Sequence, residues 1–317
     1  MHRPTTKTTP RWEAPTLALI GATYLGWALI TVHAEAITAY AAVPLLALVL
    51  VLHSSLCHEA IHGHPTPHAT LNAALMSLAV GLFVPFERFR DTHLAHHRDE
   101  HLTDPYDDPE SNYLDPACWA GLSPPMRGLL RANNTLLGRM VLGPAIGLIW
   151  FWHEEALALA AGTPGHARAW ALHLLGLIPV ALWLTTVATL PPSAYLLAAY
   201  TAMGILKIRT FLEHRAHEAH PGRSVIVEDR GPLAFLFLNN NLHAVHHGVP
   251  GLAWYRLPAF YRTRREAFLQ QNRGYLYSSY AAVFCAHALT AKDPVAHPLR
   301  NTDPERVQLR ERAWPPQ

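Results

Sequence analysis

Charged side chains are scarce in this chain and are missing from long stretches of it. Asp, Glu, Lys and Arg make up 15% of the 317 residues, whereas roughly a quarter is usual in a soluble domain. Residues 14–57 contain one charged residue, Glu35, and residues 169–206 contain none. Half of the chain is apolar, and its charges are concentrated in 87–131 and 207–317. This distribution argues against an ordinary soluble protein and predicts a membrane protein with a large water-facing cap.

Other features are also missing, and each absence argues against a class of function. The three cysteines, Cys57, Cys118 and Cys285, form no CxxC pair, which argues against a disulfide framework and a thiolate metal site. A net charge of +2 without a basic patch interleaved with aromatics argues against a nucleic-acid partner. There is no glycine-rich phosphate loop and no internal repeat. Histidine, in contrast, is abundant, with 22 residues, and it is clustered.

Four apolar segments are about as long as the roughly 20 residues that a helix needs to cross a bilayer. They are residues 14–33, 38–57, 169–190 and 193–212. In the last segment, Lys207 and Arg209 follow the uncharged part and would have to extend to the interface. The first segment is longer than the core of a signal peptide, so we interpret it as a retained anchor, with cleavage near Ala36 as the alternative.

The positions of Lys and Arg predict how these segments are oriented. Basic residues occur in the N-terminal tail, in 87–139 and from 207 onward, whereas the connectors TVHAEAI and LPPS contain none. Cytoplasmic flanks collect Lys and Arg. We therefore expect two transmembrane hairpins, 14–57 and 169–212, with both termini in the cytoplasm.

Two further apolar runs, 69–86 and 140–152, are ambiguous. One more crossing would place the histidine clusters on opposite faces of the membrane, so we expect both runs to lie in the interface or to enter the membrane and return. The predicted fold is therefore all-α. It is a polytopic membrane protein of one domain, 1–317, with four spans, interfacial helices and a cytoplasmic helical cap formed by 58–168 and 213–317.

Eight histidines lie in three boxes of related spacing, HEAIH, HLAHH and HAVHH, and one more follows the last predicted span. The nine are His58, His62, His93, His96, His97, His214, His243, His246 and His247. Spacings of three and four place side chains on one helical face, so three short helices can direct imidazoles to a common point. Imidazole suits Zn, Fe, Cu and Ni, and this number is too large for one tetrahedral ion but about right for two. We therefore predict that the cap holds a two-metal site on its cytoplasmic side.

Each histidine taken singly is better explained as a surface or hydrogen-bonded side chain, and only the repetition of the boxes favours a metal. We keep that plainer interpretation for the histidines that lie near the boxes without belonging to them: His64, His68, His101, His217 and His220. A histidine-rich membrane protein that carries metal without catalysis is the corresponding non-enzymatic alternative.

HEAIH also fits HExxH, the motif of zinc metalloproteases. In that alternative His58 and His62 bind zinc and Glu59 is the general base. Such a site needs one more ligand and leaves both HxxHH boxes unexplained. In the two-metal interpretation Glu59 instead accepts a hydrogen bond from a ligand histidine and orients its ring.

Six carboxylates lie within residues 99–110, in RDEHLTDPYDDPE. The plainer interpretation is a solvated acidic loop. The alternative is that Asp99, Glu100 or Asp104 accepts N–H groups from the second box and holds its rings in the ligating tautomer. Trp254 and Tyr255, after the third box, are interpreted as interfacial aromatics.

With HxxxH, HxxHH and HxxHH in this order around two membrane hairpins, the chain resembles the membrane fatty-acid desaturase superfamily from about residue 14 to residue 260. That superfamily also contains hydroxylases, carotenoid ketolases and alkane hydroxylases. THLAHHRDEHLTDPYDDPE and NNNLHAVHHGVPGLAWYRLP look most like its bacterial acyl-lipid branch. Thr210 stands where acyl-CoA desaturases have a water-holding Asn, one turn before the extra histidine, which weakens the case for an acyl-CoA substrate.

The resemblance implies a non-haem di-iron centre held by the nine histidines, with His214 as the extra ligand and O2 as co-substrate. Since the chain shows no flavin, nicotinamide or iron–sulfur motif, it implies a separate electron donor, a ferredoxin, a rubredoxin or a cytochrome b5-like protein. The expected reaction is desaturation of a long, lipid-linked acyl chain, in a bacterial inner membrane. Hydroxylation and carotenoid ketolation are the alternatives within the superfamily, because the spacing of the boxes does not separate these reactions.

Overall fold

The computed structural model describes residues 12–97 and 101–300. These residues are mostly helical. The helices are α1 (Ala14–Val32), α2 (Ala34–Ile37), α3 (Ala39–Ile61), α4 (Ala69–Leu75), α5 (Phe86–His96), α6 (Pro116–Gly121), α7 (Pro124–Asn133), α8 (Leu136–Val141), α9 (Gly143–Ala160), α10 (His166–Thr186), α11 (Pro192–Thr210), α12 (Pro232–Leu236), α13 (His243–Gly248), α14 (Leu257–Arg262), α15 (Arg265–Gln271) and α16 (Tyr280–His287). Short 3₁₀ helices cover His220–Arg223 and Trp254–Arg256.

Three helices are long and apolar enough to cross a membrane. They are Ala14–Val32, Tyr40–Ile61 and His166–Thr186, and they correspond to the first three predicted spans. The fourth predicted span is also a helix, α11, but Lys207 and Arg209 lie in its last turn and it is not among the three. The helical character of the chain is confirmed, and the four-span arrangement stays a prediction.

The two ambiguous apolar runs have different structures. In 69–86, α4 ends at Leu75 and the chain continues without a long helix until α5 begins at Phe86. In 140–152, α9 begins at Gly143 and continues well beyond the run, to Ala160. The first run therefore forms no helix that could cross a bilayer.

The connectors of the two predicted hairpins meet at one end of the helix bundle. Thr189 N donates to Thr31 O at 2.9 Å, and Thr189 Oγ1 donates to Val32 O at 2.9 Å. Two further hydrogen bonds are buried between the helices: Trp27 Nε1 donates to Tyr195 Oη at 2.8 Å, and Tyr195 Oη donates to Val80 O at 2.7 Å. The other end of α3 and of α11 leads into the histidine boxes.

Two strands of two residues are an exception to the predicted all-α fold. β1 (Ile226–Val227) and β2 (Leu276–Tyr277) pair in parallel. The segment beside β1 also fixes the third histidine box, because Ala244 N donates to Val225 O at 2.9 Å. The pair thus connects the start of α13 to the C-terminal part of the cap.

Candidate metal centre

The first histidine box lies on the last turn of α3. The helix continues past the predicted end of the span at residue 57 and ends at Ile61, with His62 as its C-cap. His58 and His62 are four residues apart and therefore share a face of the helix, and their ring centroids are 4.8 Å apart. The membrane helix itself thus delivers the first two imidazoles to the cap.

The second box lies on α5, which follows Pro85. His93 and His96 are buried on this helix, and His97 is its C-cap. Near the start of α5, Arg88 Nε donates to Glu155 of α9 at 2.9 Å, and Glu155 also accepts hydrogen bonds from His166 and Trp170 of α10. This buried ion pair fixes α5 against α9 and, through the hydrogen bonds of Glu155, against α10.

The third box forms α13, and His214 follows the last turn of α11. His243 and His246 are almost fully buried, with 1% and 2% of their surface exposed. His214 forms an isolated antiparallel bridge with Ser224, just before β1. The four segments that carry histidines, far apart in the sequence, therefore meet at one point.

The nine predicted histidines form two groups of potential metal ligands. In each group one nitrogen of every ring lies within 4.8 Å of the corresponding nitrogens of the others. The first group contains His58, His62, His93, His97 and His246, and the second contains His96, His214, His243 and His247. The groups adjoin, since the rings of His97 and His247 stack with centroids 4.3 Å apart.

Nitrogen spacing within each group fits a shared cation. The Nε2 atoms of His62–His93, His93–His97 and His97–His246 are 3.0, 3.0 and 3.1 Å apart. Those of His96–His214, His214–His243 and His243–His247 are 2.9, 3.0 and 3.1 Å apart. Two nitrogens at about 2.1 Å from one ion and at right angles to each other would be about 3.0 Å apart.

Hydrogen bonds on the opposite side of several rings direct their Nε2 lone pairs into the groups. His96 Nδ1 donates to Asp108 Oδ1 at 2.7 Å, and His93 Nδ1 donates to Glu110 Oε1 at 3.0 Å. With the proton on Nδ1, each Nε2 is an acceptor facing other acceptors, an arrangement that a cation would stabilise. The Nε2 atom of His58 is buried without a hydrogen-bond partner among the described residues, which also fits a ligand role.

The prediction of a solvated acidic loop was wrong for Asp108, which is 5% exposed. The alternative named the wrong residues. Asp104 caps a turn by accepting from Tyr106 N at 2.8 Å and from Asp107 N at 3.1 Å, whereas Asp99 and Glu100 lie outside the described residues. Because this turn reverses the chain, the carboxylates that follow it, on Asp108 and Glu110, reach the second box.

The prediction that Glu59 orients a ligand histidine was also wrong. Its Oε1 lies 4.0 Å from His58 Nδ1, beyond hydrogen-bond distance, because consecutive residues of a helix point in different directions. Its Oε2 accepts the backbone N–H of Trp254 at 3.1 Å. Trp254 Nε1 in turn donates to Thr16 Oγ1 at 3.2 Å. Trp254, which follows the third box, is therefore held both to the end of α3 and to the start of α1.

Sequence reasoning also missed one hydrogen-bond partner of His243 and one of His214. Asn240 Oδ1 lies 3.1 Å from His243 Nδ1, and Ser224 Oγ lies 3.2 Å from His214 Nδ1. Asn240 is three residues before its partner in NNNLH, a local spacing that could have indicated it. Ser224 reaches His214 only through the bridge between their backbones, for which the sequence gives no signal.

The neighbouring histidines stay outside the two groups. His64 Nδ1 lies 2.8 Å from Glu13 Oε1, His217 Nδ1 accepts from Ala219 N at 3.0 Å, and His101 is exposed. The plainer interpretation therefore agrees with their positions.

Burial and neighbouring charges set the protonation of the rings. Burial, reinforced by the adjacent imidazoles, lowers the pKa of His97, His214, His243 and His246, which keeps them in the neutral form that binds metals. At His96 burial acts in the same direction, but the carboxylates of Glu110 and Asp108 outweigh it and raise the pKa to about 9. A bound cation would take the place of that proton.

Comparison with known proteins identifies the chain at the level of a family. No curated protein matches it. The sequence model of the family described as fatty acid desaturase matches residues 35–279. The match covers most of the chain and contains all nine histidines of the two groups. The chain therefore belongs to the fatty acid desaturase family.

Proposed function

We propose that this chain desaturates a long, lipid-linked fatty-acyl chain at a di-iron centre held by the nine histidines. One observation carries the proposal: imidazoles from four distant segments converge in two adjoining groups, with five and four members. Membership of the fatty acid desaturase family supports a lipid substrate. We further propose that 1–317 is a single domain and belongs to the bacterial acyl-lipid branch.

The chemistry divides between the metal and the protein. Two irons, when bound, supply the oxidant for an unactivated C–H bond, which no side chain can provide. The histidines would hold them, and Asp108, Glu110 and Asn240 would keep three of the rings in the ligating orientation. In the balanced reaction O2, two electrons, two protons and one CH2–CH2 unit give one CH=CH unit and two waters.

Hydroxylation of the same chain is the second candidate from this family, and carotenoid ketolation is a third. Desaturation and hydroxylation share the first hydrogen abstraction, and they diverge when the substrate loses a second hydrogen or receives OH. Expression in a bacterial host with a matching electron donor, followed by mass spectrometry of total lipids, separates them. We expect an O2-dependent acyl species lighter by two hydrogen atoms. A species heavier by one oxygen atom would favour hydroxylation, and unchanged acyl chains would contradict an acyl substrate.

The metalloprotease alternative conflicts with the position of Glu59. Glu59 is 4% exposed and its carboxylate accepts the N–H of Trp254, so the carboxylate does not face a free position beside His58 and His62. A purified protein that contained one zinc and cleaved peptides would restore this alternative, and Glu59→Gln would then abolish the cleavage.

Iron content tests the centre directly. We expect about two irons per chain and loss of iron and activity in His62→Ala, His97→Ala, His214→Ala and His247→Ala. His220→Ala, at an exposed histidine outside both groups, is the control and should retain both. Reversible metal exchange without O2 consumption would instead support a non-catalytic metal carrier.

The proposed orientation places both termini and the centre in the cytoplasm and the two connectors on the far side. The contact between Thr31 and Thr189 supports placing the connectors together. In a variant without the native cysteines, a cysteine at exposed Ala36 or Ser193 should react with an impermeant reagent from the far side, and one at exposed Ala267 should not. Equal labelling of Ala36 and Ala267 from one side would refute the two hairpins.

A further inference from the structure

Two adjoining depressions on the cap open beside the segment that carries His214. The first has a volume of about 340 Å³ and is lined by Arg215, Tyr275 and Lys292 among others. The second has about 280 Å³ and is lined by Trp119 and Arg131 among others. Asp293 belongs to both linings. We name the two depressions together the basic cleft.

Positive charge predominates around the basic cleft. Arg131 and Arg215 line it, and the exposed Arg273 precedes Gly274 of its wall. Asp293 is the acidic residue of the two linings, and Lys292 Nζ neutralises it at 2.9 Å. The guanidinium of Arg215 is fixed over the Tyr275 ring, 4.4 Å from its centroid. Three arginines therefore remain without an opposing carboxylate among the lining residues.

The wall of the basic cleft is hydrogen-bonded to the backbone of His214, a member of the second histidine group. Lys292 Nζ donates to His214 O at 2.5 Å and to Tyr275 Oη at 3.0 Å. Tyr275 Oη donates to Leu212 O at 2.6 Å, and Arg215 is the next residue after His214 in the chain. A molecule seated in the basic cleft is thus separated from a ligand of the centre by one layer of side chains.

We propose that the basic cleft is the docking surface of an acidic one-electron carrier protein that reduces the centre through the His214 segment. The inference rests on the proposed function. In each turnover two carrier molecules are oxidised by one electron each, and the centre gains the two electrons that the reaction consumes. The chain has no flavin, nicotinamide or iron–sulfur motif of its own, so these electrons come from a separate protein. Opposite charges on two surfaces speed and orient such an encounter.

Binding of the carrier tests the proposal without turnover. The full chain in lipid nanodiscs would be titrated with three acidic carriers, a plant-type [2Fe–2S] ferredoxin, a rubredoxin and a soluble cytochrome b5 domain. We expect at least one to bind with a Kd that rises with salt. The double variant Arg131→Glu/Arg273→Glu should weaken that binding about tenfold or more, because both side chains are exposed at the basic cleft.

Arg168→Glu is the matched control, since Arg168 is an exposed arginine at the start of α10 and is not in the lining of the basic cleft. It should bind the carrier as the wild type does. The proposal would be overturned if none of the three carriers bound the wild type. It would also be overturned if the control and the double variant lost the same amount of affinity for the carrier. If the double variant bound the carriers as the wild type does, the basic cleft would not be their docking surface and the proposal would be wrong.

A second measurement separates this proposal from the proposed function. In iron-loaded protein the carrier should reduce the centre more slowly in the double variant, while dithionite reduces both proteins at the same rate. If the protein bound the carrier in a salt-sensitive way but could not be loaded with iron, the docking surface would be supported and the di-iron function contradicted. Normal iron content and lipid product, with carrier binding and reduction unchanged in the double variant, would contradict only the docking surface.

Discussion

Replacing Asp108 tests most directly the hydrogen bonds that orient the histidine rings of the candidate metal centre. Its Oδ1 accepts from His96 Nδ1 at 2.7 Å and from Glu110 N at 2.9 Å, and its Oδ2 accepts from Thr103 N at 2.8 Å. Asp108→Asn preserves the size of the side chain and replaces one acceptor oxygen by an NH2 donor. Whichever way the amide turns, at least one of these three N–H groups then faces another donor.

The size of the effect follows from which bond is lost. If the NH2 group faces His96, the ring loses its acceptor and the tautomer that directs Nε2 to the second group. Loss of such a partner typically lowers metal affinity about 10- to 100-fold, which is about 1.4 to 2.7 kcal/mol. If the NH2 group faces Thr103 N instead, a buried donor is left unsatisfied at a cost of about 1–3 kcal/mol in folding free energy.

Metal titration and thermal unfolding together distinguish these results. Metal-free protein would be titrated with Fe(II) under anaerobic conditions, and the unfolding temperature would be measured with and without metal. Asp107→Asn, at an exposed carboxylate of the same loop, is the control and should change neither. Unchanged metal affinity together with unchanged stability in Asp108→Asn would refute the assigned role of this carboxylate.

Two further substitutions test how the helices around the centre are held together. Glu155→Ala leaves the largely buried Arg88 without its main partner, which should cost about 3 kcal/mol or more in folding free energy; Glu154→Ala, at an exposed neighbour, should unfold at the wild-type temperature. Gly204→Ala would place a methyl group 2.5 Å from Met140 O and should destabilise the contact between α8 and α11 by about 1–3 kcal/mol. Gly21→Ala, where nothing lies within 4 Å, should be tolerated, and equal unfolding temperatures for the two glycine variants would contradict this packing.

The scarcity of charge was sufficient to predict the long helices but not their ends. A run without Asp, Glu, Lys or Arg marks what a bilayer can hold, so α1, α3 and α10 fall close to the predicted spans. The predicted span ended at residue 57 and the first box was expected on a short helix of its own. Instead α3 continues through His58 to Ile61, because histidine is polar but does not break a helix. Lys207 and Arg209 explain why α11 is less apolar than the other three.

The supporting residues were harder to predict than the histidines because they depend on chain reversals. Asp104 was chosen since it is near the second box in sequence, yet it caps the turn that brings Asp108 and Glu110 back to the rings. Ser224 reaches His214, ten residues before it in the sequence, through a bridge between their backbones. A repeated motif reveals the ligands, whereas their partners follow from loop geometry that composition does not encode.

Helix geometry explains how the boxes are divided between the two groups. Residues four apart on a helix differ by about 40° in direction, and residues three apart differ by about 60° in the opposite sense. The pairs at spacing four therefore stay together, which they do in all three boxes: His58 with His62, His93 with His97, and His243 with His247. The middle histidine of each HxxHH box, His96 or His246, belongs to the other group. Both α5 and α13 thus contribute to both groups, so a shift of either helix displaces histidines of both groups at once. The ion pair of Glu155 with Arg88 therefore positions both groups rather than one.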